Sequence, residues 1–239
     1  PAPGRRAGRR AGPRGAPMTK TLDDDLALLG QGILRMGGLV ESQVDAASIA
    51  LTQRRAEVAR RVVQADDEID QVELEVDEEC LRLLALHHPV AGDLRFITAV
   101  MKINNDLERI GDLATNVAER ALDLASGPPL GLPLRFERMT QIVRGMLHDG
   151  LDALVRRDGV LARDVIRRDD EVNTIHRENF DVLQEEMMRE PASVERAVDL
   201  LSASRQLERI ADQTKNIAED VVFLVEARVL KHQRLDEPS

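Results

Sequence analysis

One segment of this chain occurs twice. Residues 107–119 read L-E-R-I-G-D-L-A-T-N-V-A-E and residues 207–219 read L-E-R-I-A-D-Q-T-K-N-I-A-E, with eight of the thirteen positions identical. A second match lies upstream, where Asp66-Asp67-Glu68-Ile69-Asp70 corresponds to Asp169-Asp170-Glu171-Val172-Asn173. Shared composition can align a Leu or a Glu by accident, but not two ordered blocks at nearly the same offset. The chain is therefore read as a tandem duplication, and whatever the unit is, it must be built twice.

The unit is helical. Apolar residues recur every three or four positions, as a buried helix face requires. Thr21 is suited to N-cap a first helix ending near Thr52, with Asp23, Asp24 and Asp25 in its favourable first turn. A second helix is predicted over 57–86, with Val58, Val62, Ala65, Ile69, Val72, Val76, Cys80 and Leu83 on one face. Pro89 ends it and opens a third, with Val100, Ile103, Leu107, Ile110, Ala114, Val117, Ala121 and Leu124 inward. Gly127-Pro128-Pro129-Leu130-Gly131-Leu132-Pro133 breaks the pattern. Three more helices follow, over 134–156, 160–188 and 191–229. Aromatic residues make up only 2% of the chain, with no Trp and no Tyr, so the core must be Leu, Val, Ile, Ala and Met. Such residues suit helix packing better than a β-sandwich. The expected fold is all-α: two tandem pseudo-symmetric three-helix bundles, at 18–126 and 134–230. They follow a basic, disordered N-terminal extension, 1–17, that has no means of forming a core.

Charge excludes some functions. The net charge is −10, although Arg5, Arg6, Arg9, Arg10 and Arg14 stand in an extension without acids. The remainder is more acidic still, which argues against nucleic acid as a ligand and suits cations or basic protein surfaces. No apolar run nears the ~18 residues of a membrane span, and no signal peptide is visible. A cytoplasmic protein, peripheral to a membrane at most, is expected. The single cysteine, Cys80, lies on an apolar face and reads as a buried core residue.

The acids fall in rows. Glu108, Asp112 and Asn116 are spaced i, i+4, i+8, and at about 100° per residue the row falls roughly opposite the apolar seam. Glu208, Asp212 and Asn216 repeat it. On the second helix Asp66, Asp70, Glu73 and Asp77 share a row on the flank of the seam; its counterpart is Asp169, Asn173, His176 and Phe180. Acids on an outer face are ordinarily just solvated. Yet like charges at i, i+4 cost about 0.2–0.5 kcal/mol per pair, and the Glu-x-x-x-Asp pair stands in both copies. A cation held between rows would relieve that repulsion, and oxygen donors with little imidazole suit Mg²⁺, Mn²⁺, Fe or Zn²⁺. Arg109 and Arg209 fit either structural bridges or partner contacts. A ferritin-type di-iron site is excluded, since none of the five histidines has an acid three residues before it. Nor is there a phosphate-cradling Gly loop, a nucleophile elbow or a His-Glu-x-x-His motif. A non-enzyme is expected.

The run Asp106-Leu107-Glu108-Arg109-Ile110-Gly111-Asp112, with Asn116 and Ala118-Glu119 after it, resembles the signature of the PhoU family. So do Pro89-Val90-Ala91-Gly92-Asp93-Leu94-Arg95 and Lys102-Ile103, and the resemblance extends from about Met18 to Val229. It implies two three-helix bundles, metal clusters on Glu/Asp-x-x-x-Asp pairs, and a homodimer. It also implies a function: negative regulation of phosphate uptake and of the phosphate-starvation response. In that role the protein is an adaptor between a phosphate-specific ABC transporter, through its ATPase subunit, and a phosphate-sensing histidine kinase. Carried over by motif, the metal ligands are Glu108, Asp112, Glu208, Asp212, Asp66 and Asp70. Asp169 with Asn173 departs from the acid pattern, which points to a weaker second site or one using His176. Glu73, Asn116 and Asn216 are further candidates. The alternatives are a metal-handling bundle protein and a purely structural scaffold.

Overall fold

A computed structural model of the chain describes residues 21–227. The basic extension and the last residues of the final predicted helix lie outside that span. Among the described residues there are seven α-helices: α1 (Leu22–Gln53), α2 (Ala56–Gln64), α3 (Asp66–His87), α4 (Ala91–Ala125), α5 (Phe136–Arg156), α6 (Gly159–Arg189) and α7 (Val194–Glu226). A short 3₁₀ turn, Pro191–Ser193, leads into α7.

Local chemistry explains the starts and stops. The Thr21 hydroxyl accepts from the Asp24 amide at 3.2 Å while Asp24 accepts from the Thr21 amide at 3.1 Å, a reciprocal cap that satisfies two otherwise orphaned donors. At the other end of α1, Arg54 turns into the left-handed region and its guanidinium donates to the Leu124 and Gly127 carbonyls at the close of α4. Those carbonyls have no partner within their own helix, so one cation both closes α1 and caps α4.

The single helix predicted over 57–86 is two. Ala65 leaves the helix at φ −93°, ψ 0°, and its amide reaches back only three residues, to Val62 O at 3.1 Å. Ala65, predicted inward, is exposed as a result. The aspartates that follow are poor in a helix interior and good in a first turn, so a new N-terminus forms there. In the second copy the aligned residue is Arg168, which bridges Asp149 at 2.6 Å and Asp164 at 2.7 Å, and α6 runs through unbroken. Asp158 also caps α6 through the Val160 and Leu161 amides, where α2 has no side-chain cap.

The two copies do not stand apart. Lys102, early in α4, reaches Asp220, late in α7, at 3.0 Å, and its ammonium lies 5.3 Å from the Phe223 ring centroid. Arg120, late in α4, pairs with Asp199, early in α7, at 3.3 Å. The helices are therefore antiparallel and exchange equivalent ends, as two repeats related by a pseudo-twofold must. A second antiparallel seam joins α1 to α5 through Arg144–Asp45 and His148–Glu41. There Gly37 permits a close approach: a Cβ on it would meet Leu151 Cδ2 at 2.7 Å, and that side chain would have to shift. One apolar cluster runs through both halves, with Leu107, Ile110, Leu207 and Ile210 all 1% exposed or less. Each such side chain contributes about 1.5–3 kcal/mol by leaving water.

Candidate functional site

Every residue predicted inward on the third helix is buried. So are others around α4, including Asn104, Asp106, Gly111, Leu113 and Ala118, because α4 packs against its own repeat and against α7. That width leaves only a narrow exposed stripe, through Lys102, Asn105, Arg109, Asp112 and Asn116. Glu108 is half-buried rather than outward, while Asp112 and Asn116 further along are exposed. In the second copy Glu208, Asp212 and Asn216 are all half-buried.

In the first repeat, α3 is held against α4 by Asn104. This fully buried amide donates to the Glu73 carbonyl at 2.9 Å and to Asp77 Oδ1 at 3.1 Å. Gly111 allows the helices to approach: a Cβ there would lie 3.2 Å from Ile69 Cδ1. The rows on α3 and α4 thus run side by side. Burial, then the charges of Asp112, Glu73 and Asp70, pushes the Glu108 carboxyl above the usual range, and Arg109 offsets this only in part. Burial with Asp77 and Asp70 does the same to Glu73. Asp70, Glu73, Glu108 and Asp112 therefore share one negative field. Asp66 begins α3, and its side chain lies outside the described residues. The Asn116 amide turns back to the Asp112 carbonyl at 2.9 Å. Among the described residues no three His, Cys, Asp or Glu side chains are already gathered into a metal cage.

The second repeat is built from different chemistry. Asp169 is 1% exposed and accepts from Lys215 Nζ at 2.9 Å and from Asn173 Nδ2 at 3.1 Å, both on Oδ2. Its Oδ1 is buried without a hydrogen-bond partner. Burial, then Asp169 and Glu208, raises the Asp212 carboxyl, and Lys215 pulls it back. Burial disfavours the Lys215 charge, but the Asp169 hydrogen bond and the charges of Asp169, Asp212 and Glu219 hold the ammonium above the ordinary lysine range. His176 Nδ1 lies 2.9 Å from the Ser204 hydroxyl. Burial and then Arg205 keep the ring below its usual value, so the neutral imidazole is favoured. The Ser204–His176 contact stands where Asn104 meets the Glu73 carbonyl in the first copy.

Two features escaped the sequence reading. Lys215 sits inside the repeated motif, opposite Thr115, and a cation three residues after Asp212 was the visible signal. The other is Asp25, 2% exposed, which pairs with Arg82 and His87 at 3.0 Å each and ties α1 to the end of α3. His87, at the end of α3, therefore has a buried carboxylate partner. Cys80 is buried as expected, and burial with Asp77 and Glu79 pushes its thiol up to about 12.

Comparison with known proteins follows the repeat. The PhoU domain signature matches residues 33–121 and again 136–221. The chain belongs to the PhoU family. The phosphate-specific transport system accessory protein PhoU homolog of Aquifex aeolicus is 38% identical over 205 residues, spanning 86% of this chain and 93% of that protein. The homolog of the same name from Pseudomonas putida is 41% identical over 208 residues, covering 85% and 80%. Among solved structures, PhoU from Pseudomonas aeruginosa superposes with a TM-score of 0.82 at 38% identity, over 87% of this chain and all of that one. The phosphate transport system regulatory protein PhoU from Streptococcus pneumoniae gives a TM-score of 0.77 at 27% identity. The PhoU fold, like this one, is a two-repeat all-α bundle. Among the described residues no helix is long and apolar enough to cross a membrane.

Proposed function

We propose that this protein is a cytoplasmic regulator of phosphate transport, which restrains phosphate uptake and the phosphate-starvation response. It acts by contact, linking the ATPase subunit of a phosphate-specific ABC transporter to a phosphate-sensing histidine kinase, and it works as a homodimer. The observation that carries this reading is the double match: both repeats fit the PhoU domain, and relatives named as phosphate-specific transport accessory proteins align over more than four-fifths of the chain. Deleting the gene in its host tests it. Phosphate uptake and starvation-gene expression should rise under plentiful phosphate; unchanged uptake and expression would refute the reading.

A divalent or iron-type cation, Mg²⁺, Mn²⁺, Zn²⁺ or Fe, fits the first repeat. Its donors are Asp70, Glu108 and Asp112, with Asp66, Glu73 and Asn116 beside them on the same two rows. The support is electrostatic: burial and then neighbouring carboxylates raise both Glu108 and Glu73, and Arg109 offsets this at Glu108 only in part. A bound cation would cancel that repulsion and fasten α3 to α4.

A further inference from the structure

The repeats are alike in sequence but unlike in how they balance their acids. We infer that Lys215 is the built-in cation of the second acidic cluster, so that the second repeat holds itself together without a metal ion while only the first calls for one. This rests on the reading of the acidic rows as cation sites, given above.

Three observations converge. Asp169 is the aligned counterpart of Asp66, and among the described rows it is the most deeply buried carboxylate. A buried carboxylate needs a compensating positive charge. Lys215 supplies it at 2.9 Å, and the same ammonium faces Asp212 and Glu219. Second, Asn173 replaces the acid found at Asp70 and donates its amide to the same oxygen of Asp169. The donor set has therefore lost one carboxylate, and Lys215 and Asn173 together occupy one oxygen of another, leaving only Asp169 Oδ1 without a hydrogen-bond partner. Third, the residue aligned with Lys215 in the first repeat is Thr115, which accepts from Gln43 Nε2 at 2.8 Å and carries no charge. The first cluster therefore keeps its acids without a lysine, and the second has replaced the ion by a side chain. The residues of the second repeat do not fit a metal centre of the kind implied for Glu208, Asp212, Asp169 and Asn173.

The test uses the full chain titrated with Mn²⁺, with bound metal read by native mass spectrometry and elemental analysis. Wild type should take up Mn²⁺ only in the first repeat, so Glu108→Gln with Asp112→Asn should abolish uptake. Residual binding in that double variant, removed by a further Asp212→Asn, would overturn the inference without any change at Lys215. Lys215→Thr, which copies the first repeat, should create a new uptake that survives Glu108→Gln with Asp112→Asn. It should also lower the thermal midpoint in chelator, with added Mn²⁺ restoring it. Lys215→Thr with neither new uptake nor Mn²⁺-dependent recovery would overturn it as well. The reverse change, Thr115→Lys, should weaken uptake in the first repeat. Should wild type bind no Mn²⁺ and Lys215→Thr bind some, the first-repeat metal reading fails while the assignment of Lys215 as the cation of the second cluster stands.

Discussion

Asn104 offers the sharpest test of how the acidic rows are positioned. Replacing it with Ala removes a neutral hydrogen bond to the Glu73 carbonyl and a charge-assisted one to Asp77 Oδ1. The first is worth about 1 kcal/mol and the second about 1.5–3 kcal/mol. Two terms work the other way. Ala is a better helix former than Asn by about 0.7 kcal/mol, and the Asn104 Oδ1, buried without a partner, disappears with its desolvation cost. The net loss should be about 1–3 kcal/mol, which for a protein of this size lowers the thermal midpoint by roughly 2–12 °C. Asn104→Ser should lose less, because Ser204 already serves at the aligned position. Thermal unfolding followed by circular dichroism reads these shifts, and a cycle with Asp77→Ala isolates the pair, with an expected coupling of about 1–2 kcal/mol. A wild-type midpoint for Asn104→Ala, or zero coupling to Asp77, would show that apolar packing alone sets the spacing between α3 and α4.

Other expectations concern charge and reactivity. Glu108→Gln with Asp112→Asn should leave helicity intact and, in chelator, raise stability by about 0.2–0.5 kcal/mol by removing an i, i+4 repulsion; a collapse of the circular-dichroism signal would mark the row as structural. Asp25 is held below the usual carboxylate range by its hydrogen bond from Arg82, with burial opposing and His87 helping. A depressed carboxyl stabilises the fold above its unfolded value of about 3.9 and loses that contribution as pH falls through the folded value. Asp25→Asn should therefore flatten the acid limb of the stability profile below about pH 4; an unchanged limb in denaturant titrations would discount the Arg82–Asp25–His87 tie. Cys80, buried with its thiol pushed up to about 12, should resist thiol reagents at pH 8 and react only on unfolding; rapid labelling of the folded protein would contradict its burial.

The elements were legible where a local rule decides them. Thr21 with Asp24 announces the start of α1, the Gly/Pro run 127–133 separates the copies, and the three-and-four spacing from Val100 to Leu124 marks a buried face. The break at Ala65 was not legible, because the Asp-Asp-Glu run that follows it stands equally in the second copy, where the helix is unbroken. What separates the copies there is Arg168, whose partners Asp149 and Asp164 meet it only after α5 packs against α6. The outward placement of the acidic rows held for Asp112 and Asn116 but not for Glu108 or for the second copy, for a related reason. A single helix wheel assumes one buried stripe, and α4 is enclosed on more sides than one.

The duplication, the all-helical class and the family follow from the order of residues alone, since each rests on patterns read within a helix turn or at a fixed offset. The charge state of the two acidic clusters does not. Thr115 and Lys215 look like one more mismatch in a repeated motif until α6 sets Asp169 against the second of them. Long-range electrostatics depends on distances across helices and on how much water the packing removes, and neither is written at any one position of the chain.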